Sequence, residues 1–241
     1  MNFIFNAPGR VWRKFCSDSR PDPVNALSPL SKDLMRSRFL PLIAAVAIVG
    51  RAAAADPSPS FFPLIDGSEW IMDAKLISPN GNVAPTTAHR LIDGSVQVNG
   101  RKYYRMRTWM DLGTAKNVAT KLIRKDETGV YTIEQGGKDA TEQREVVFPL
   151  GIGLTWQRTS HGGTLKDTVI ALETVTIGDT IYDNCLHLRT TTPDHKFSES
   201  YWEAPEVGSV KSIMTFANGA KIVLTLREFK PGPGSPAPAP Q

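Results

Sequence analysis

Val96-Gln97-Val98-Asn99-Gly100-Arg101-Lys102-Tyr103-Tyr104-Arg105-Met106-Arg107-Thr108-Trp109-Met110 is the stretch that decides the fold class. Asn99-Gly100 is a two-residue hairpin turn, because both positions need positive φ, which asparagine tolerates and glycine adopts freely. On the returning side Tyr104, Met106, Thr108 and Met110 alternate with Arg105 and Arg107. A period of two puts successive side chains on opposite faces, one apolar and one charged. The segment therefore predicts antiparallel strands with one solvated face.

The same pattern continues in both directions. Trp70, Met72, Ala74 and Leu76 alternate, and Leu122-Ile123 and Val130 to Ile133 flank the turn Asp126-Glu127-Thr128-Gly129. Thr168 to Leu172 leads into Val175-Thr176-Ile177 and the turn Gly178-Asp179, after which Leu186 and Leu188 share a face. Val210 to Phe216, Asn218-Gly219 and Lys221 to Phe229 read as a hairpin with Ile222, Leu224 and Leu226 on one side. A short helix over Leu112 to Ala119 is the one helical candidate. About ten strands with short connections predict an all-β fold: antiparallel meanders in two similar halves, forming a curved half-barrel or a sandwich.

The two halves rest on a repeat. Phe62-Pro63-Leu64-Ile65-Asp66-Gly67-Ser68-Glu69-Trp70 and Phe148-Pro149-Leu150-Gly151-Ile152-Gly153-Leu154-Thr155-Trp156 share F-P-L-x-x-G-x-x-W, 86 residues apart. Val96 and Val175, Tyr103 and Tyr182, Leu122 and Tyr201, and Gly129 and Gly208 are each 79 apart. One seven-residue length difference after Trp70 reconciles the two offsets. A duplicated unit, with halves of about 62–147 and 148–229, is the first hypothesis. The alternative is two unrelated strands that each open after a Pro-Leu-x-x-Gly turn, where proline fixes φ and glycine supplies the bend.

Residues 35–55 read as a secretory signal peptide. Arg36 and Arg38 precede the apolar run Phe39 to Gly50, and Ala52 to Ala55 offer a small-residue cleavage site before Asp56. A permanent span needs about 20 apolar residues, more than this run supplies, so no stable membrane span is expected. No cysteine stands at the cleavage site to carry a lipid anchor. Residues 1–34 read as a disordered upstream segment or a start-site artefact, with translation beginning at Met35. Residues 60–230 are the expected β-domain. Residues 231–241, seven of them proline or glycine, read as a disordered extended tail. The expected address is outside the cytoplasm, in the periplasm.

Charge follows the same division. Residues 1–55 hold 8 of the 28 Lys/Arg and 3 of the 24 Asp/Glu, leaving 20 basic and 21 acidic residues downstream. The segment after the leader is thus close to neutral, and the electrostatic case for nucleic acid disappears. Cys185 is the one cysteine after the leader, which excludes an intrachain disulfide there and reads as a buried thiol.

Three segments carry a resemblance: Phe62 to Trp70; Glu173-Thr174-Val175-Thr176-Ile177-Gly178-Asp179-Thr180-Ile181-Tyr182; and Tyr201-Trp202-Glu203-Ala204-Pro205-Glu206-Val207-Gly208-Ser209-Val210-Lys211. Over residues 62–229 the chain resembles uncharacterised bacterial exported and lipoprotein-like β-proteins. Glu203 is inserted before Ala-Pro relative to that pattern, and Glu206 stands where glycine is usual. The resemblance implies export and a β architecture, and no catalytic role.

Motifs of chemistry are sparse. G-x-S-x-G is absent, Gly151-x-Gly153 lacks a third glycine and a helix, and Cys185-x-His187 has no second ligand pair. No catalytic residue, metal ligand or cofactor is assigned. Glu142 and Glu145 read as decoration of an exposed strand face. Arg101, Lys102, Arg105, Arg107, Lys121, Arg124 and Lys125 read as a solvated face balanced by acids. The expected role is a noncatalytic exported domain binding a hydrophobic small molecule or an envelope protein. Trp70, Trp156, Tyr201 and Trp202 are the expected lining. The competing reading is a hydrolase or metal-dependent enzyme using His187, His195 and Asp194, and a third is a structural partner docked through its proline-rich tail.

Overall fold

A computed structural model describes residues 58–113, 118–134, 141–160 and 163–233. Among them are twelve strands and one short 3-10 turn, Ser58–Phe61, with no α-helix. The strands are β1 (Glu69–Ile77), β2 (Val83–Val98), β3 (Arg101–Met110), β4 (Ala119–Asp126), β5 (Gly129–Glu134), β6 (Gln143–Val147), β7 (Thr155–Ser160), β8 (Gly163–Ile177), β9 (Thr180–Thr191), β10 (Phe197–Ala204), β11 (Gly208–Phe216) and β12 (Lys221–Lys230). All belong to one antiparallel sheet, ordered β6-β5-β4-β3-β2-β1-β12-β11-β10-β9-β8-β7. The sheet curls into a nearly closed barrel rather than a sandwich. The expected signal peptide at 35–55 and the segment before it lie outside the described residues.

The hairpin that sets the fold class folds as read: Asn99 and Gly100 have φ of 49° and 74°, and Val98 faces Arg101 across the turn. The helical candidate does not form at its visible ends. Leu112 and Gly113 lie in an irregular connection and Ala119 already starts β4, while 114–117 lie outside the described residues.

The order places a six-stranded meander, β1 to β6, beside a second, β7 to β12, joined where β1 pairs with β12. The two F-P-L-x-x-G-x-x-W segments take the same hydrogen bonds. Gly67 N donates to Ile92 O and Gly153 N to Val169 O, both at 2.9 Å. Ile92 N returns to Ser68 O and Val169 N to Leu154 O, again at 2.9 Å. Gly67 and Gly153 have φ of 81° and 85°, a region that L side chains avoid, which explains the shared glycine. Trp70 and Trp156 then occupy the second position of β1 and β7, and Phe62 and Phe148 meet with ring centroids 6.0 Å apart.

These segments close one end of the barrel. Lys125 Nζ donates to Phe62 O at 2.9 Å, Glu206 N to Ser60 O at 2.9 Å, and Trp70 Nε1 to Val207 O at 2.6 Å. Gly232, placed in the tail by the sequence reading, is buried here and donates its N–H to Ser68 Oγ at 3.0 Å; residues 234–241 lie outside the described residues. The core concentrates at this end, around Trp70, Met72, Ile92, Val130, Phe148 and Val210. Cys185 is fully buried, and burial pushes its thiol up to about 11, as expected of an inert cysteine.

Candidate ligand-binding lumen

The inner face follows from pairing. Trp70 faces Arg90, Met72 faces Ala88, and Ala74 faces Thr86 across β1 and β2, while Met72 and Ala74 face Leu226 and Leu224 on β12. Continuing outward, Ala88 faces Met110, and Met214 faces Ile222. Strands β11, β12, β1, β2 and β3 therefore build an apolar wall, with Met72, Ala74 and Ala88 buried in it. Met110 and Leu224 remain only partly buried on it.

The opposite wall is charged. Lys121 on β4 bonds Glu145 on β6 through Nζ and Oε2 at 3.2 Å. Glu145 lies 3.9 Å from Arg158 on β7, and Arg158 Nε donates to Asp167 Oδ2 on β8 at 2.9 Å. Thr190 Oγ1 on β9 donates to the other Asp167 oxygen. On β10, Glu199, Tyr201 and Glu203 are spaced by two and share the inner face, and Ser212 Oγ on β11 donates to Glu199 Oε1 at 2.7 Å. Arg90 reaches this group from β2, close enough to bias both Glu199 and Glu203, without an ion pair to either.

Electrostatics separate these carboxyls. Burial alone would raise Glu145, but the charges of Lys121 and Arg158 outweigh it and hold the group down at about 2. Burial raises Asp167 against the pull of Arg158 and Thr190, and raises Glu199 against Ser212 and Arg158. Glu203, 7% exposed, is pushed up to about 8 by burial, with Arg90 opposing and Glu199 reinforcing. It is therefore a neutral acid at pH 7. Burial likewise lifts the Tyr201 hydroxyl well above its ordinary value.

Although they face inward, Lys121, Glu145 and Arg158 keep 29%, 30% and 18% of their side-chain surface accessible. A dry, packed interior would not leave that surface open. The space they border is a candidate lumen, reached by solvent beside the β6 and β7 edges, with Asp167 fully buried in its wall. The lumen has a seam: β6 and β7 are the two edges of the sheet and carry no backbone ladder between them. Trp156 Nε1 bridges it by donating to Glu145 O at 2.9 Å.

The four expected lining residues separate. Tyr201 and Trp156 pack against the same group, around Val169, Leu186 and Leu188, at the base of the lumen. Trp70 is 3% exposed and belongs to the closed end. Trp202 takes the opposite face of β10 from Tyr201, stacked on His187 with centroids 4.3 Å apart. His187 Nδ1 lies 3.0 Å from Glu173 Oε1, and burial lowers the His187 pKa against the pull of that carboxylate. Asp194 and His195 sit elsewhere, in the turn between β9 and β10, where Asp194 accepts from Lys196 N at 3.2 Å. Among the described residues no group of three His, Cys, Asp or Glu is placed to hold a metal ion.

Two surface readings need correction. Glu142 and Glu145 are three apart and so take opposite faces: Glu142 binds Arg101 and Arg124 outside, Glu145 turns inward. Arg107 pairs with Asp93 at 3.1 Å as a balanced outer face predicts, but Lys121 faces the lumen and Arg124 is buried beneath Glu142.

No protein-family model matches the chain. No curated protein matches it either. Solved structures do resemble it in outline. One, from Bacteroides fragilis, is described as an exported protein with a YmcC-like fold; it is 14% identical over 70% of this chain and 98% of its own, with a TM-score of 0.43. A Parabacteroides distasonis chain described as a lipoprotein is 14% identical with the same coverage and a TM-score of 0.42. A β-barrel-like DUF1849 protein from Brucella abortus is 9% identical over 69% of this chain and 98% of its own, with a TM-score of 0.37. At such identities and scores these likenesses carry nothing about ligand or role.

Proposed function

We propose that this chain is an exported, noncatalytic binding domain that holds a small amphipathic molecule in the barrel lumen. The observation that carries the reading is the two-sided interior, an apolar wall from β11 to β3 opposite charged side chains that keep accessible surface. Pockets that bind small molecules combine apolar lining with a few placed polar groups. Trp156 and Tyr201 line the base in this reading, and Trp70 supports them from the closed end. Trp202, on the far face of β10, is buried against His187 and does not line the space in this reading. Export rests on the leader at residues 35–55, and the periplasm is the proposed compartment. The matched bonding of the two F-P-L-x-x-G-x-x-W segments supports descent of residues 62–147 and 148–229 from one duplicated unit.

Native mass spectrometry of the chain recovered from a bacterial periplasm tests the reading. A retained small-molecule adduct, released on denaturation, is expected. Failure both to retain an adduct and to bind any single-chain amphiphile would remove it.

A further inference from the structure

The lumen's charges are unevenly satisfied. Lys121 is taken by Glu145, and Arg158 is shared between Asp167 and Glu145. Those carboxylates are in turn occupied, and Glu199 already accepts from Ser212. Arg90 differs. Its guanidinium faces the same space from β2, half-buried, with Glu199 and Glu203 near enough to influence but neither bonded to it. Five N–H donors without a carboxylate partner among the described residues, half enclosed by the barrel wall, form the recognition element for an oxyanion. Glu203, kept neutral by burial at pH 7, adds no charge to repel such a group. Along the wall from Arg90 lie Thr86 on β2, Met110 on β3, Met214 on β11 and Leu224 on β12, all partly accessible, over the buried Ala88, Met72 and Ala74.

We propose that the ligand is an amphipathic anion, an alkyl chain ending in a carboxylate or a phosphate, with its charged end on Arg90 and its chain along the wall of β12, β1 and β2. The proposal rests on the lumen reading above and narrows it to one ligand chemistry. A cationic amphiphile would instead place its charge against an unpaired guanidinium, and a neutral one would leave that guanidinium desolvated without a partner.

The test titrates the purified full chain with four C12 probes below their micelle concentrations, read by tryptophan fluorescence and calorimetry. The probes are dodecanoate, dodecyl phosphate, dodecanol and dodecyltrimethylammonium. A charge-assisted hydrogen bond to the guanidinium corresponds to about tenfold or more in affinity, so at least one anion should bind about 10-fold tighter than dodecanol. The carboxylate and phosphate arms tell the two head groups apart. Arg90→Met should erase the anion preference, weakening the anions and relieving the desolvation that dodecanol imposes on the guanidinium, and Arg90→Lys should retain part of it. Dodecanol binding as tightly as both anions, a preference for the cation, or an unchanged anion preference in R90M overturns the proposal. The ranking on the unaltered protein decides the matter even if R90M does not fold. Binding of dodecanol alone refutes the anion and leaves the lumen reading standing, whereas silence from all four probes removes both.

Discussion

Glu203→Gln isolates the most perturbed acid of the lumen wall. The carboxyl is 7% exposed and titrates at about 8 in the folded chain, against an ordinary 4.5. A group whose folded pKa is raised contributes stability that is complete below the unfolded pKa and is lost as pH rises through the folded one. Between pH 4.5 and 8 the folded chain holds this proton and the unfolded chain has released it, so stability falls with pH. At about 1.4 kcal/mol per pH unit, the loss is about 3 kcal/mol by pH 7, with roughly 1 kcal/mol more by pH 9. Glutamine keeps the size and hydrogen-bonding capacity without the proton, so the variant should escape that loss. Urea unfolding at pH 5, 6, 7 and 8 reads the difference directly. E203Q should gain on the parent chain steadily, its midpoint advantage growing by more than about 1 M urea across the range. Glu145, held near 2 by Lys121 and Arg158, stays ionised throughout and does not confuse the comparison. The raised Asp167 adds slope of the same sign to both proteins and cancels in the difference, whereas Glu199 is coupled to Glu203 and its change is part of what the comparison reads. A stability gap that stays constant from pH 5 to 8 would refute the argument.

Other positions give sharper single numbers. Glu206 has φ of 61° on an exposed turn where the resembling proteins carry glycine, so Glu206→Gly should stabilise by about 0.5–1 kcal/mol, raising Tm by roughly 1–4 °C; a lower Tm counts against it. A Cβ at Gly129 would stand 2.1 Å from Val146 O, so Gly129→Ala must move β5 or β6 and should cost more than about 2 kcal/mol in chemical denaturation. Arg158→Met strips Asp167 of its cation inside the wall and should cost about 3–5 kcal/mol, much of it restored in the double variant R158M/D167N. Additive losses in that cycle would show the pair uncoupled.

Much of the scaffold was legible in the chain because strand alternation and turn chemistry are local. Asn99-Gly100, Asp126 to Gly129 and Asn218-Gly219 announce their hairpins, and Ile222, Leu224 and Leu226 state their common face before any partner is known. The repeated F-P-L-x-x-G-x-x-W likewise encodes a local device, a positive-φ glycine that lets the next tryptophan enter a strand. The charged lumen was not legible. Arg90, Lys121, Arg158 and Asp167 each look like solvated strand residues when read alone, since a charge alternating with apolar neighbours normally faces water. Glu203 was visible only as an insertion against a resembling pattern.

By itself the sequence determined that these segments are strands, where they turn, and that the leading motif occurs twice, because each depends on backbone preferences within a few residues. Tertiary structure alone decided which face became the inside. Curling one sheet until β6 nears β7 enclosed the face that carries Lys121, Glu145 and Arg158. The register break between Trp202 and Glu203 left Glu203 opposite Ser209 and beside Arg90's field. Lys121 met Glu145 24 residues on through strand pairing, and Glu145 met Arg158 through closure, contacts that alternation along a single strand does not encode.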